Sequence, residues 1–228
     1  MSLTRPPKES GSAAQQPDAR LSSQGLELRD LGCVRGRRSL FRGLNAMLLP
    51  GQLLRVAGAN GAGKTSLLRM LCGLLAPAQG QVLWQGQSVH KAREEFHRQL
   101  IYIGHGAALK DDLSPLENLQ VGMRLGGAAP ARASLLQALA DAGLRGREHV
   151  PSRILSQGQR RRAALARLPL GQAALWVLDE PFNALDSAAT AWLLTLIESH
   201  LRRGGLVVLT SHQAVALGEA VAQVSLAL

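Results

Sequence analysis

The chain has 228 residues, of which 46% are apolar and 18% charged, a composition that suits one large globular domain and excludes a wholly disordered protein. The net charge of +10 is mostly arginine, but only 3% of residues are aromatic, too few for a base-stacking platform, so nucleic acid is not an expected partner and much of the charge reads as solvated surface. Residues 204–218 carry no Asp, Glu, Lys or Arg, but they are fewer than the roughly 20 residues of a membrane-spanning helix and include Ser211, His212 and Gln213, so membrane association is expected only through a partner.

Residues 1–24 are rich in Ser, Pro, Gln and Ala without periodicity, which predicts a disordered tail; with Arg5, Lys8 and Glu9 and no apolar run, it is not expected to be a secretory signal. One domain is expected over 25–228. Leu26 to Leu31 alternates as a strand does, and Ser39 to Leu49 predicts a second strand. Pro50-Gly51 is a turn before a third strand, Gln52 to Ala57. That strand runs into Gly58-Ala59-Asn60-Gly61-Ala62-Gly63-Lys64-Thr65-Ser66, which fits G-x-x-x-x-G-K-[ST] at every fixed position. The glycines let consecutive backbone N–H groups curl around an anion, and the following helix points its positive end there. Lys64 would add a charge at the β- and γ-phosphates, and the Thr65 hydroxyl is a hard oxygen suited to Mg²⁺. The helix is predicted over Lys64 to Leu75, with Leu67, Leu68, Leu71 and Leu75 at helical spacing. Nucleoside triphosphate binding is the premise that follows.

Gln81 to Trp84 predicts a short strand, Val89 to Arg98 a charged helix, and Gln99 to Ile103 an apolar strand entering Gly104-His105-Gly106. Pro115 to Leu125 reads as a helix with Ser114 as N-cap and Glu117 completing a capping box. Ala131 to Ala142, ended by Gly143, and Ser156 to Leu168 predict two further helices, so a helical insertion is expected at about 105–168. Ala174 to Leu178 and Leu206 to Thr210 are unbroken apolar runs that suit a parallel sheet covered on both faces. Between them Ser187 to Arg203 predicts a helix with Ala188, Trp192, Leu193, Leu196 and Ile197 on its apolar face. Cys33 and Cys72 lie far apart without metal-ligand spacing and suit a reducing compartment, Cys72 as a small core residue.

Asp179 and Glu180 follow the first of those apolar runs. There a carboxylate can hold Mg²⁺ beside Thr65, and Glu180 is the candidate general base for water attacking the γ-phosphate. Leu155-Ser156-Gln157-Gly158-Gln159 with the arginine-rich Arg160-Arg161-Arg162 resembles the LSGGQ signature of ABC-type ATPases. The resemblance runs from about Gly25 onward. It takes in the Leu175 to Pro181 segment, Asn183-Ala184-Leu185-Asp186 and His212, in the family's order.

That resemblance implies an α/β fold: a phosphate-loop (P-loop NTPase) core with an N-terminal antiparallel β subdomain and a helical subdomain. It also implies ATP and Mg²⁺ as ligands, and a homodimer in which ATP is sandwiched between phosphate loop and signature. Ser156, Gly158 and Gln159 would face the γ-phosphate of the other copy. Asp186 would line the nucleotide interface, and His212 would hold the γ-phosphate, Glu180 and water in line. Three positions depart from the pattern. Gln157 replaces a glycine, Arg35 stands where an adenine-stacking aromatic is usual, and His105 stands where a glutamine usually contacts Mg²⁺ or water. An arginine plane can also stack, and an imidazole can replace the amide with a pH-dependent charge.

Tyr102-Ile103-Gly104-His105, Leu109 to Leu113, Leu116 to Leu119, Val82 to Gly86 and Leu175 to Phe182 resemble the ATP-binding subunits of bacterial cytochrome c biogenesis, the haem-export type. This implies a peripheral subunit on the cytoplasmic face of the inner membrane, docked on a CcmB-like integral membrane subunit with associated haem-handling proteins. No Cys-Pro pair or paired axial ligands suggest that the chain itself binds haem. An ABC ATPase for another substrate would share every catalytic motif. A soluble ABC ATPase acting on DNA or ribosomes usually has paired domains or a coiled-coil insertion, and a regulator without turnover is disfavoured by Glu180 and His212.

Overall fold

The computed structural model describes residues 25–211, 215, 217–218 and 221–228. The expected tail (1–24) and His212 lie outside the described residues. The elements sort into two sheets and a helical layer.

Strands β1 (Leu26–Arg35), β2 (Arg38–Leu48), β4 (Gln79–Trp84) and β5 (Gln87–Ser88) form an antiparallel sheet in the order β2-β1-β4-β5. Strand β1 runs four residues past the predicted end at Leu31. Asp30 has φ 48° and the pairing slips between Leu28 and Leu31, so the bulge shifts the buried face and ends the simple alternation.

Strands β3 (Leu53–Ala57), β6 (Leu100–Ile103), β7 (Leu175–Leu178), β8 (Leu206–Thr210) and β9 (Gln223–Ala227) make a wholly parallel sheet, ordered β6-β7-β8-β3-β9. Every residue of β7 and β8 is buried, as their unbroken apolar runs require. Leu175, Val177, Leu206 and Val208 face a core shared with β1, β4 and helix α1 (Lys64–Leu71). Trp176, Leu178, Val207 and Leu209 face a second core with Leu193, Ile197 and Leu201 of helix α6 (Ser187–Arg202). On α6 it is Ala189, not the predicted Ala188, that is buried, while the predicted Leu193 and Ile197 are buried and Trp192 and Leu196 pack half-buried beside them.

Helix α2 (Arg93–Arg98) begins later than predicted, because Val89 is drawn into the core by the turn after β5. Helix α1 stops at Leu71, since Gly73 takes φ 66° and the Leu74 and Leu75 amides fold back onto the Arg69 carbonyl. Helices α3 (Pro115–Leu125), α4 (Arg132–Asp141) and α5 (Gln157–Leu165) share a third core built on Leu116, Leu119, Leu135, Leu139 and Ala163. The capping box predicted for α3 is present: Ser114 Oγ accepts from the Glu117 amide (3.3 Å) and Glu117 Oε2 accepts from the Ser114 amide (2.8 Å).

His200, in the last turn of α6, lies flat on Trp176 of β7, with ring centroids 3.8 Å apart, and its Nε2 is 3.2 Å from the Ala174 carbonyl. Burial holds its pKa below the ordinary 6.5, helped by Arg203 and opposed by the Ala174 and Leu206 backbone bonds. The folded chain therefore binds this proton less readily than the unfolded chain. Its stabilising contribution is full above about 6.5 and falls as pH drops from there through the lower folded value. A His200→Phe variant keeps the stacked ring and should flatten the acid-side fall in melting temperature. An unchanged slope would assign that fall to other groups.

Candidate active site

The order β7-β8-β3 puts the carboxyl ends of three strands on one rim, where open parallel sheets bind ligands. From β3 the chain enters Gly58 to Ser66, and α1 starts at Lys64 with Gly63 at its N-cap. Gly63 has φ 109°, and a Cβ there would meet Leu40 and Phe41 at 3.2–3.3 Å, so the turn requires glycine. No side chain caps α1, which leaves its first amides to an anion. Lys64 is buried, and its Nζ donates to the carbonyls of Gly58 (2.8 Å) and Ala59 (3.4 Å), held within the loop it would share with a phosphate.

A hydrogen-bonded ladder crosses the rim. Thr65 Oγ1 donates to Asp179 Oδ2 (2.9 Å), Thr210 Oγ1 donates to Asp179 Oδ1 (2.8 Å), and the Glu180 amide donates to Thr210 Oγ1 (2.7 Å). Asp179 and Thr210 are buried. The carboxylate at the end of β7 is thereby pinned against the hydroxyl that opens α1. Thr210 is a member of this ladder that the sequence reading missed; its only signal was its place at the end of a buried strand.

Lys64, Thr65, Ser66, His105, Asp179 and Glu180 line one open cleft of about 470 Å³, with Arg35, Leu40 and Asn183 on its walls and Ala59, Asn60, Gly61 and Gly63 along the loop. The volume is in the range of small-ligand sites. The structure thus brings Arg35 and His105, two of the three departures, to the same cleft as the phosphate loop. Gly58 and Ala62 belong to the loop without lining the cleft.

Ser156, Gly158, Gln159 and Asp186 are not in this cleft. Ser156 is the N-cap of α5, in a second capping box with Gln159: Ser156 Oγ accepts from the Gln159 amide (3.2 Å), and Gln159 Oε1 accepts from the Ser156 amide (3.0 Å). The Ser156 hydroxyl proton stays available and the residue is exposed, whereas the Gln159 side-chain oxygen is spent on the cap. A Cβ on Gly158 would meet the Ala184 carbonyl at 2.5 Å, so α5 and the loop after Glu180 touch. Asp186 is exposed and caps α6 through the Ala189 amide (2.8 Å). Among the described residues no three His, Cys, Asp or Glu side chains gather as a metal site of their own.

A phosphate loop, an acidic pair on the neighbouring rim and a separate capped Ser-Gln-Gly-Gln turn define a nucleotide-hydrolysing cassette. Residues 41–183 match the family model described as ABC transporter. The chain belongs to the ABC transporter ATP-binding family. It is 52% identical, over 87% of its length and 93% of theirs, to the cytochrome c biogenesis ATP-binding export protein CcmA of Methylococcus capsulatus. It is 49% identical to the protein of that name from Pseudomonas aeruginosa, over 84% of this chain and 95% of that one. The fold is shared with a putative ABC transporter ATP-binding protein from Pyrococcus furiosus, at a TM-score of 0.76, 24% identity and coverage of 89% and 97% of the two chains. A dimeric ATP-binding cassette bound to ADP and Pi also shares it, at a TM-score of 0.69, 23% identity and coverage of 82% and 88%.

Proposed function

We propose that this chain is the ATP-hydrolysing subunit of a haem-export complex acting in c-type cytochrome biogenesis. What carries the reading is the conjunction of the Thr65–Asp179–Thr210–Glu180 ladder with about half-identity, over nearly full length, to proteins named for that export role.

ATP would lay its phosphates along the amides of Gly58 to Ser66, and Lys64 would exchange the Gly58 and Ala59 carbonyls for phosphate oxygens. The Thr65 hydroxyl and Asp179 carboxylate, 2.9 Å apart, fit the two protein oxygens that Mg²⁺ takes when nucleotide phosphates and water supply the rest. When bound, that ion would neutralise charge developing on the phosphates. Glu180 accepts a proton from the attacking water. The water oxygen forms a bond to Pγ as the bond from Pγ to the β,γ-bridging oxygen breaks, releasing phosphate and ADP. His212 would orient the same water and γ-phosphate, and Arg35 would lie against the adenine.

Among the described residues the cleft is open to one side, which leaves room for a further group to enclose the γ-phosphate. Ser156 and Gly158 of a second copy, arranged head to tail, would provide one through a hydroxyl, an amide and the start of α5. Among the described residues no helix is long and apolar enough to cross a membrane. By its likeness to the CcmA export proteins, the chain would sit on the cytoplasmic face of the inner membrane against a CcmB-like integral subunit, which passes the closure on to haem-handling proteins.

Affinity purification of the tagged chain from native membranes tests this. An integral membrane protein of a haem-handling complex should co-purify. Recovery with a membrane subunit of another transporter, or salt-sensitive recovery with nucleic acid, would contradict it.

A further inference from the structure

The three consecutive arginines of α5 do different things. Arg160 bonds the Ser152 carbonyl (2.8 Å) and pairs with Asp111 (2.6 Å); Arg162 bonds the Gly143 carbonyl (3.1 Å). Both stay within the helical layer. Arg161 alone turns into the rim of the parallel sheet and is only 5% exposed. Its Nη2 donates to the carbonyls of Asp179 (2.6 Å) and Glu180 (3.0 Å), and its Nε to that of Pro181 (3.4 Å). Its Nη1 donates to the carbonyls of Gly104 (2.7 Å) and His105 (3.4 Å). One guanidinium thus joins three segments: α5, the exit of β7 and the exit of β6.

We propose that Arg161 is a positioning residue that holds the main chain of Glu180 and His105 against the middle of α5, the helix capped by Ser156, so that turnover depends on it and nucleotide binding does not. The inference rests on the reading of the cleft as an ATPase site. Glu180 has φ 48°, the left-handed region that a non-glycine residue keeps only when its surroundings over-determine it. The Thr210 hydroxyl grips that peptide from one side through the Glu180 amide, and Arg161 grips it from the other through the carbonyls on either side of the Glu180 α-carbon. Burying a guanidinium is costly, and an apolar residue of similar volume often serves packing as well or better. A planar fork with donors in fixed directions is what reaching five carbonyls on two loops requires, and a lysine does not reproduce it. Burial pulls its pKa down while the Asp179 and Glu180 charges push it back up, so the cation belongs electrically to the site it braces. Because α5 also carries Ser156 and Gly158, any tilt of the helix when the second copy closes on ATP is passed directly to the Glu180 peptide.

The test compares Arg161→Gln and Arg161→Lys with Arg162→Gln as a control, in the full chain purified with its membrane partner, by steady-state ATP turnover and by calorimetric ADP binding. We expect Arg161→Gln to lower kcat about 10- to 100-fold while ADP affinity stays within about threefold. Arg161→Lys should fall between Gln and native, and Arg162→Gln should stay near native. Native-like kcat in Arg161→Gln, or full activity with lysine, would overturn the proposal. So would a loss of kcat and ADP affinity by the same factor in both Arg161 variants, which would make the residue a folding element. If the native chain itself shows no ATP turnover, it is the ATPase reading that fails instead.

Discussion

Glu180→Gln is expected to bind ATP as the native chain does and to lose turnover by about 10²- to 10⁴-fold, the range for removing a positioned general base. The substitution keeps the side chain's size and leaves the backbone contacts of Glu180 untouched: its amide still reaches Thr210, and its carbonyl still accepts from Arg161. What disappears is the capacity to take a proton from water. With hydrolysis blocked and phosphate binding intact, the two-copy complex should accumulate, visible as an ATP-dependent dimer that decays far more slowly than the native one. Single-turnover kinetics and size-exclusion chromatography with ATP check both parts. Native-rate hydrolysis by this variant would move the base to another residue.

Lys64→Ala should lose affinity rather than chemistry alone. The ammonium is buried in the loop, and the two carbonyls it bonds would be left behind when it is removed. A hydrogen bond to a charged group contributes about 1.5–3 kcal/mol, so loss of one phosphate contact corresponds to roughly 10- to 100-fold weaker ATP binding. Asp179 would still hold Thr65, so the fold should persist, and a melting curve without nucleotide should shift little while the stabilisation by added ATP nearly vanishes. Unchanged affinity and unchanged rate would remove Lys64 from the site.

Much of this site could be read from the chain. The phosphate loop is written in consecutive residues, so its glycines, lysine and threonine announce the local geometry without tertiary information. The two buried strands were legible for a similar reason: β7 and β8 are covered on both faces, and nothing interrupts their apolar runs. Strand β9 was not. Its exposed and half-buried residues alternate at the edge of the parallel sheet, and Gln223 and Ser225 dilute the signal. The two-residue β5 was too short to carry a period at all. The bracing of Glu180 was hidden for another reason. Thr210 lies 30 residues and Arg161 19 residues from Glu180 in the chain, and only the strand order and the lie of α5 bring them together. A run of three arginines reads as solvated surface, and nothing local marks the middle one as buried. The separation of Ser156 and Gly158 from the cleft could be stated only as an implication of family resemblance, since a contact between two copies leaves no mark on local periodicity.

The central claim is that two copies of the chain close over ATP, each completing the other's cleft. The most direct measurement is ATP turnover in mixtures of two inactive chains in varying proportion, Lys64→Ala with its signature intact and a Gly158 variant with its phosphate loop intact. The account predicts that activity returns on mixing, because one of the two clefts in each mixed pair combines a sound phosphate loop with a sound signature. Failure of any mixture to exceed the inactive parents, while both still bind the native chain, would contradict it.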